Sequence, residues 1–251
     1  MPAPVPLFSV IVVVKNPGAH LPAALASVWT QLHVQPEVIV IDGASTDGTR
    51  EWLESHRDRF AALISEPDTG VYAAMNKGVA LARGEWVLFL GADDRLVRDV
   101  VLSGAAEHVR GSAAGVIVGE AAYDDGRLYR LPARIRPLAR NFVHHQAAFY
   151  RRTLFDENGS FDPSLRIAAD YELNLRLWRH RVRFKSIPLR ISACGIAGLS
   201  DGGDWRVYRE EIAVRHRYAP AWRCLFWDAL SVLRFLRKQL VRLKRRTSSP
   251  S

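Results

Sequence analysis

Residues 86–94 read Trp-Val-Leu-Phe-Leu-Gly-Ala-Asp-Asp, an apolar run that stops at two adjacent carboxylates, Asp93 and Asp94. A buried strand emptying onto paired acids is a common place for an α/β enzyme to hold a hard cation and a phosphate. The same residues also suit a strand end followed by an acidic helix cap. A second run ends in Ile41-Asp42-Gly43-Ala44-Ser45-Thr46-Asp47-Gly48-Thr49. Asp42 there either accepts hydrogen bonds from a nucleobase or ribose, or shapes its own loop through an Asx turn. The first run ends in Lys15-Asn16-Pro17-Gly18 rather than Gly-x-Gly-x-x-Gly, and no Walker lysine motif occurs. Dinucleotide and P-loop chemistry are therefore disfavoured.

These residues need strands to present them. Residues 8–14 and 37–41 are β-branched runs, 60–64 is a weaker third and 86–90 a fourth. Continuous apolarity predicts strands covered on both faces, hence a parallel sheet. Helices are predicted over 21–31, 49–57 and 71–83, the last stopped by Gly84. The alternation implies right-handed βαβ units. Beyond them, a helix over 97–109 and strands over 115–119 and 147–150 are expected. Tyr123–Arg127 reads as a hairpin turn, followed by a helix over 169–180 and a strand over 183–187.

The chain has 251 residues, 48% of them hydrophobic and 24% charged, which is ordinary globular composition. Two cysteines make no disulfide framework and no zinc spacing, and no apolar run reaches 18 residues. The start lacks the basic and apolar regions of a signal peptide, so a cytoplasmic chain is expected. The net charge is +9, and the segment from Trp222 to Arg246, with eight basic residues and Asp228, carries +7 of it. A nucleic-acid reader more often spreads its cations over a domain surface, so nucleic acid is not the expected partner.

The ordered set of motifs resembles family 2 glycosyltransferases, closest to the branch that builds bacterial surface polysaccharides. It comprises Ser9–Asn16, Ile41–Thr49, Ser65-Glu-Pro-Asp-Thr-Gly-Val-Tyr-Ala-Ala-Met-Asn-Lys-Gly78, Gly84-Glu85-Trp86, Ala92-Asp93-Asp94, His145-Gln146 and Ile167-Ala-Ala-Asp170-Tyr-Glu-Leu-Asn-Leu-Arg176. The resemblance covers roughly residues 7–200. It implies an α/β GT-A fold, with a mostly parallel central sheet flanked by helices, over 1–205. It further implies a nucleotide-diphosphate sugar donor (UDP- or GDP-linked), inversion at the anomeric carbon, and Mn²⁺ or Mg²⁺.

Carried over residue by residue, Asp93 is the metal ligand and Asp94 its support. Asn16, Asp42, Asp68, Asn76, Lys77, Ala92 and Asp93 surround the donor. Asp170 is the general base, at a helix start that favours its ionised form by roughly 0.3–1 kcal/mol. His145 is a candidate metal or phosphate ligand, or a structural histidine. Three positions depart from the family pattern. Gly91 replaces the first acid of the Asp-x-Asp signature, Gly43 replaces a second acid after Asp42, and Lys15 stands where relatives carry an aromatic or small polar residue. These departures suggest an alternative, a catalytically weak nucleotide-sugar-binding or scaffold protein of the same fold.

Residues 206–251 lie outside the resemblance and read as a helical basic amphipathic extension. From Trp222 onward, Leu225, Phe226, Trp227, Leu230, Leu233, Phe235, Leu236, Leu240 and Leu243 recur at helical spacing among arginines and lysines. Such a helix can lie on an anionic bilayer. A peripheral enzyme on the inner face of the cell membrane, acting on a lipid-linked or oligosaccharide acceptor, is the expectation. Residues 195–204 are expected to form a flexible glycine-containing cover.

Overall fold

The computed structural model describes residues 4–195 and 204–247, with side chains described to residue 241. The expected cover therefore lies outside the described residues except for its ends, Gly195 and Asp204.

Three runs form parallel neighbours: β1 (Phe8–Val14), β2 (Glu37–Asp42) and β4 (Trp86–Gly91). β3 (Ala62–Ser65) extends them, giving the order β3-β2-β1-β4. Their residues alternate between two cores. Val10, Val12, Val38, Val40, Leu88 and Leu90 point into one, whereas Ile11, Val13, Ile39, Ile41, Val87 and Phe89 point into the other. Double coverage is why these strands carry no polar face. Helices α1 (Leu21–Trp29), α2 (Thr49–Ser55) and α4 (Val101–Val109) cover the first face, and α3 (Val71–Leu81) covers the second. Register pairs Val14 with Asp42, Asp42 with Ser65 and Val13 with Gly91. All four strands thus release their loops at one edge, where ligands bind in open sheets.

The second half of the sheet is mixed, antiparallel at most strand pairs and parallel where its two longest strands meet. β8 (Ala148–Arg151) joins β4 to β6 (Val116–Tyr123), and β6 is flanked by β9 (Phe184–Cys194). β5 (Arg95–Leu96) pairs with the end of β9, and β7 (Leu128–Tyr129) closes the hairpin on β6. Two expectations shift here. The helix expected from Val97 begins at Val101, because residues 95–96 are drawn into the sheet by β9. Its start is capped from a distance by Gln31, whose side-chain carbonyl accepts from Leu102 N at 2.9 Å. The strand expected over 183–187 runs on to Cys194 through a register shift opposite Glu120, past the proline Pro188 that a sequence pattern treats as a stop.

Helices α5 (Thr153–Asn158) and α6 (Ala169–Arg179) complete the second face. The chain then forms two antiparallel helices, α7 (Trp205–Tyr218) and α8 (Ala221–Thr247). They are locked together by buried polar groups. Arg215, fully buried, pairs with Asp228 and donates to Ser231 Oγ at 2.8 Å, and Arg234 reaches Glu211 at 2.8 Å. Phe235 packs between Trp205 and Tyr208. Phe235 and Arg234 therefore face the protein, which corrects their assignment to the outward surface of the amphipathic helix.

Candidate active site

A cavity of about 800 Å³ opens at the loop edge of the parallel strands. Its wall includes Lys15 and Asn16 after β1, Gly91–Arg95 after β4, His144–Gln146 before β8, and Ile167–Tyr171 at the start of α6. Val207 and Glu211 of α7 also line it.

The turn after β4 brings two carboxylates together. Asp94 is 3% exposed and accepts from Gly91 N at 2.7 Å. Burial chiefly raises its pKa above the ordinary 3.8; the adjacent Asp93 charge adds to this, and the Gly91 hydrogen bond opposes it. A side chain at Gly91 would press on both acids, its Cβ falling 3.0 Å from Asp94 Oδ2 and 3.2 Å from Asp93 Oδ1. Glycine at position 91 thus leaves room for both carboxylates. Gly195 at the end of β9 likewise leaves room for the Asp93 carboxylate. Among the described residues no three metal-ligating side chains cluster. Two carboxylates nonetheless fit a magnesium-like ion that takes its remaining ligands from water and substrate phosphates.

Asp170 sits across the cavity in the first turn of α6. Its carboxylate accepts from Tyr171 N at 2.8 Å and Tyr72 Oη at 3.2 Å on one oxygen, and from Asn141 Nδ2 at 2.7 Å on the other. His145 Nδ1 faces that second oxygen at 3.4 Å. The histidine is thereby placed against the candidate base. Next to it His144 is held by Tyr123, and burial lowers its pKa to about 4, leaving it neutral.

Asn16 adopts a left-handed backbone with φ 48°, accepts from Thr46 N at 2.8 Å and binds Ser45 Oγ through its own N–H at 2.7 Å. It fastens the β1 loop to the β2 loop, a conformation asparagine tolerates. Ala92 follows Gly91 on the cavity wall. Asp68 is not among the cavity-lining residues; its Oδ2 occupies the space of a side chain at Gly43, 2.6 Å from a Cβ built there. Lys15 borders the same spot.

Three of the expected donor-binding residues have protein partners away from the cavity lining. Asp42 is fully buried, with its carboxylate taken by Ser45 N, Ser45 Oγ and Ser65 Oγ, so it shapes the loop. Asn76 spends its amide on both backbone groups of Phe161, at 2.8 and 3.0 Å. Lys77 pairs with Glu66 at 2.6 Å. None of the three lines the cavity. Sequence reading passed over Tyr72, Asn141 and Glu211. Tyr72 lies inside a motif already singled out, while the other two carry no local signal.

The parallel half-sheet opens onto paired acids, and a third carboxylate, on a helix, lines the same cavity. The protein-family description "Glycosyl transferase family 2" matches residues 9–164. A PGL/p-HBAD biosynthesis glycosyltransferase of Mycobacterium tuberculosis is 37% identical over 180 residues, covering 68% of this chain and 69% of the relative. The putative teichuronic acid biosynthesis glycosyltransferase TuaG of Bacillus subtilis is 35% identical over 97 residues, 38% of each chain. The chain belongs to glycosyl transferase family 2 and is a glycosyltransferase.

Solved structures support the GT-A fold. The mannosyltransferase PcManGT from Pyrobaculum calidifontis, in complex with GDP-Man and Mn²⁺, aligns with TM-score 0.66 and 22% identity, covering all of this chain and 77% of that one. S. aureus TarS 1–349 aligns with TM-score 0.63 and 21% identity; 82% of this chain spans 64% of that chain.

Proposed function

We propose that the chain moves a sugar, with inversion, from a UDP- or GDP-sugar to a hydroxyl of a lipid-linked or oligosaccharide acceptor. One observation carries this reading: a single cavity is lined by Asp93 and Asp94 at a strand exit and by Asp170 at a helix start. The likeness to structures holding UDP-GlcNAc or GDP-Man and Mn²⁺ agrees with such a donor. Relatives named for cell-surface lipid and polymer synthesis agree with such an acceptor.

Asp93 and Asp94 would hold Mn²⁺ or Mg²⁺, which when bound supplies positive charge against the departing diphosphate. Asp170 takes the proton of the acceptor hydroxyl as its oxygen attacks the anomeric carbon. The bond to the β-phosphate oxygen breaks, and the nucleoside diphosphate leaves with that electron pair. Tyr72 and Asn141 hold the two Asp170 oxygens in place, and His145 Nδ1 stands 3.4 Å from one of them. Asn16 and Ala92 frame the donor end, with Asp68 standing in for the missing acid at Gly43.

The enzyme works at the cytoplasmic face of the membrane. Trp222, Leu225, Phe226, Leu233, Leu236 and Leu240 form an exposed stripe on α8, on the side away from α7. Exposed Arg223 and Arg237 flank it, a pattern suited to an anionic bilayer surface. No helix among the described residues is long and apolar enough to cross a membrane, so α8 would lie in the plane.

The test is kinetic. With Mn²⁺ and a panel of UDP- and GDP-sugars, the protein should release nucleoside diphosphate. Asp170→Asn should lower kcat about a hundred- to ten-thousandfold with donor affinity retained. Donor binding without turnover in the parent would contradict the proposal and favour a binding or scaffold role.

A further inference from the structure

Helix α6 begins without a cap of its own. Its first flanking residue is Ala168, which has no side-chain acceptor, and of the first-turn N–H groups Tyr171 N is taken by Asp170 Oδ1. An alanine at that place supplies no partner to the first N–H groups of a helix. A carboxylate from another element holds the backbone that leads into the helix. Glu210, on α7, accepts from Ile167 N at 2.9 Å and Ala168 N at 3.0 Å, and from Arg166 N at 3.3 Å. Its charge is also favourably placed at the positive end of the helix. Two residues later comes Asp170.

The same turn is gripped from its other side, because Tyr72 Oη donates to Ile167 O at 2.7 Å as well as to Asp170 Oδ1. We infer that Glu210 is a positioning residue for Asp170, and that the C-terminal helices are a working part of the active site. This inference rests on the reading of Asp170 as the base.

A second chain of contacts leads to the same carboxylate. Arg234 of α8 donates to Glu211, which lines the cavity, and to Ala139 O at 3.3 Å. Ala139 lies two residues before Asn141, which holds the other oxygen of Asp170. Both approaches to the base are therefore braced by α7 and α8, elements that lie beyond the part of the chain matching the family description. The Glu210 contacts tie the backbone just before Asp170 to α7. A displacement of about 1 Å at a reacting group costs on the order of a hundredfold in rate.

Glu210→Ala and Glu210→Gln test this, with Asp170→Asn alongside. Each variant is assayed for nucleoside diphosphate release using whichever of UDP-glucose, UDP-N-acetylglucosamine and GDP-mannose the parent turns over fastest with Mn²⁺. Thermal midpoint is measured in parallel. The expected result is a kcat about ten- to a hundredfold lower in Glu210→Ala, donor KM unchanged, and Glu210→Gln between it and the parent because its carbonyl still accepts. Unchanged kcat in both variants would overturn the inference. So would a parallel loss of kcat, donor affinity and thermal midpoint, which would mark a merely structural role. A fully active Asp170→Asn would end the base reading and this inference together, whereas an inactive Asp170→Asn beside fully active Glu210 variants would end this inference alone.

Discussion

Asp94 shows how a residue can be suited to a partner that the protein alone does not supply. It is buried beside another acid and holds its proton to higher pH than a free carboxylate does. The folded state therefore binds more protons than the unfolded chain as pH rises above the ordinary 3.8, and the folded form loses stability across that window. In the presence of a chelator, Asp94→Asn should be at least as stable as the parent at pH 7, and the gap should narrow as pH falls toward 4. Mn²⁺ should raise the parent's thermal midpoint and raise the variant's far less. A variant clearly less stable than the parent in chelator would contradict this. Asp93 and Asp94 stood out in the sequence as acids where an apolar run stops, and Asp170 as part of the family motif over 167–176. Asp42 occupies the same kind of position, yet Ser45 and Ser65 absorb its carboxylate. One of those partners lies on a neighbouring strand, so sequence spacing could not choose between its two roles.

At the scale of elements, periodicity marked the helices and apolar runs marked the parallel strands, because local pattern and burial agree there. It failed where a distant partner decided the outcome. The helix after β4 starts late because β9 captures residues 95–96, and its cap comes from Gln31. The amphipathic reading of α8 found the helix but mixed its two sides. Contact with α7 sorts them, turning Cys224, Ser231 and Phe235 inward and leaving Trp222, Phe226 and Leu233 exposed. Replacing those three exposed residues together with serine should remove most co-sedimentation with vesicles containing anionic lipid. Nucleoside diphosphate release in solution should be unchanged. Neutral phosphatidylcholine vesicles should bind the parent weakly, because cations near an anionic surface each contribute about 1 kcal/mol. Undiminished binding of the triple variant to anionic vesicles would remove the membrane role of this face.

For the molecule as a whole, two cores on opposite faces of one sheet hold a rigid row of strand ends, and the cavity forms where that row meets α6 and α7. The donor side is built from early parallel strands with short-range sequence signatures. The opposite side is assembled from Tyr72, Asn141, His145, Asp170 and Glu211, which span 140 positions of the chain. Such long-range convergence is why the acids at the strand exit were readable, whereas the residues that hold the base were not. The central claim is that this one cavity grips a metal–diphosphate pair through Asp93 and Asp94. Anomalous diffraction from crystals soaked with manganese chloride and either UDP or GDP tests it directly. The expected map places a manganese peak against the Asp93 carboxylate with the diphosphate beside it, and loses the peak in Asp93→Asn. A nucleotide seated in the cavity with no manganese at these acids would contradict the claim.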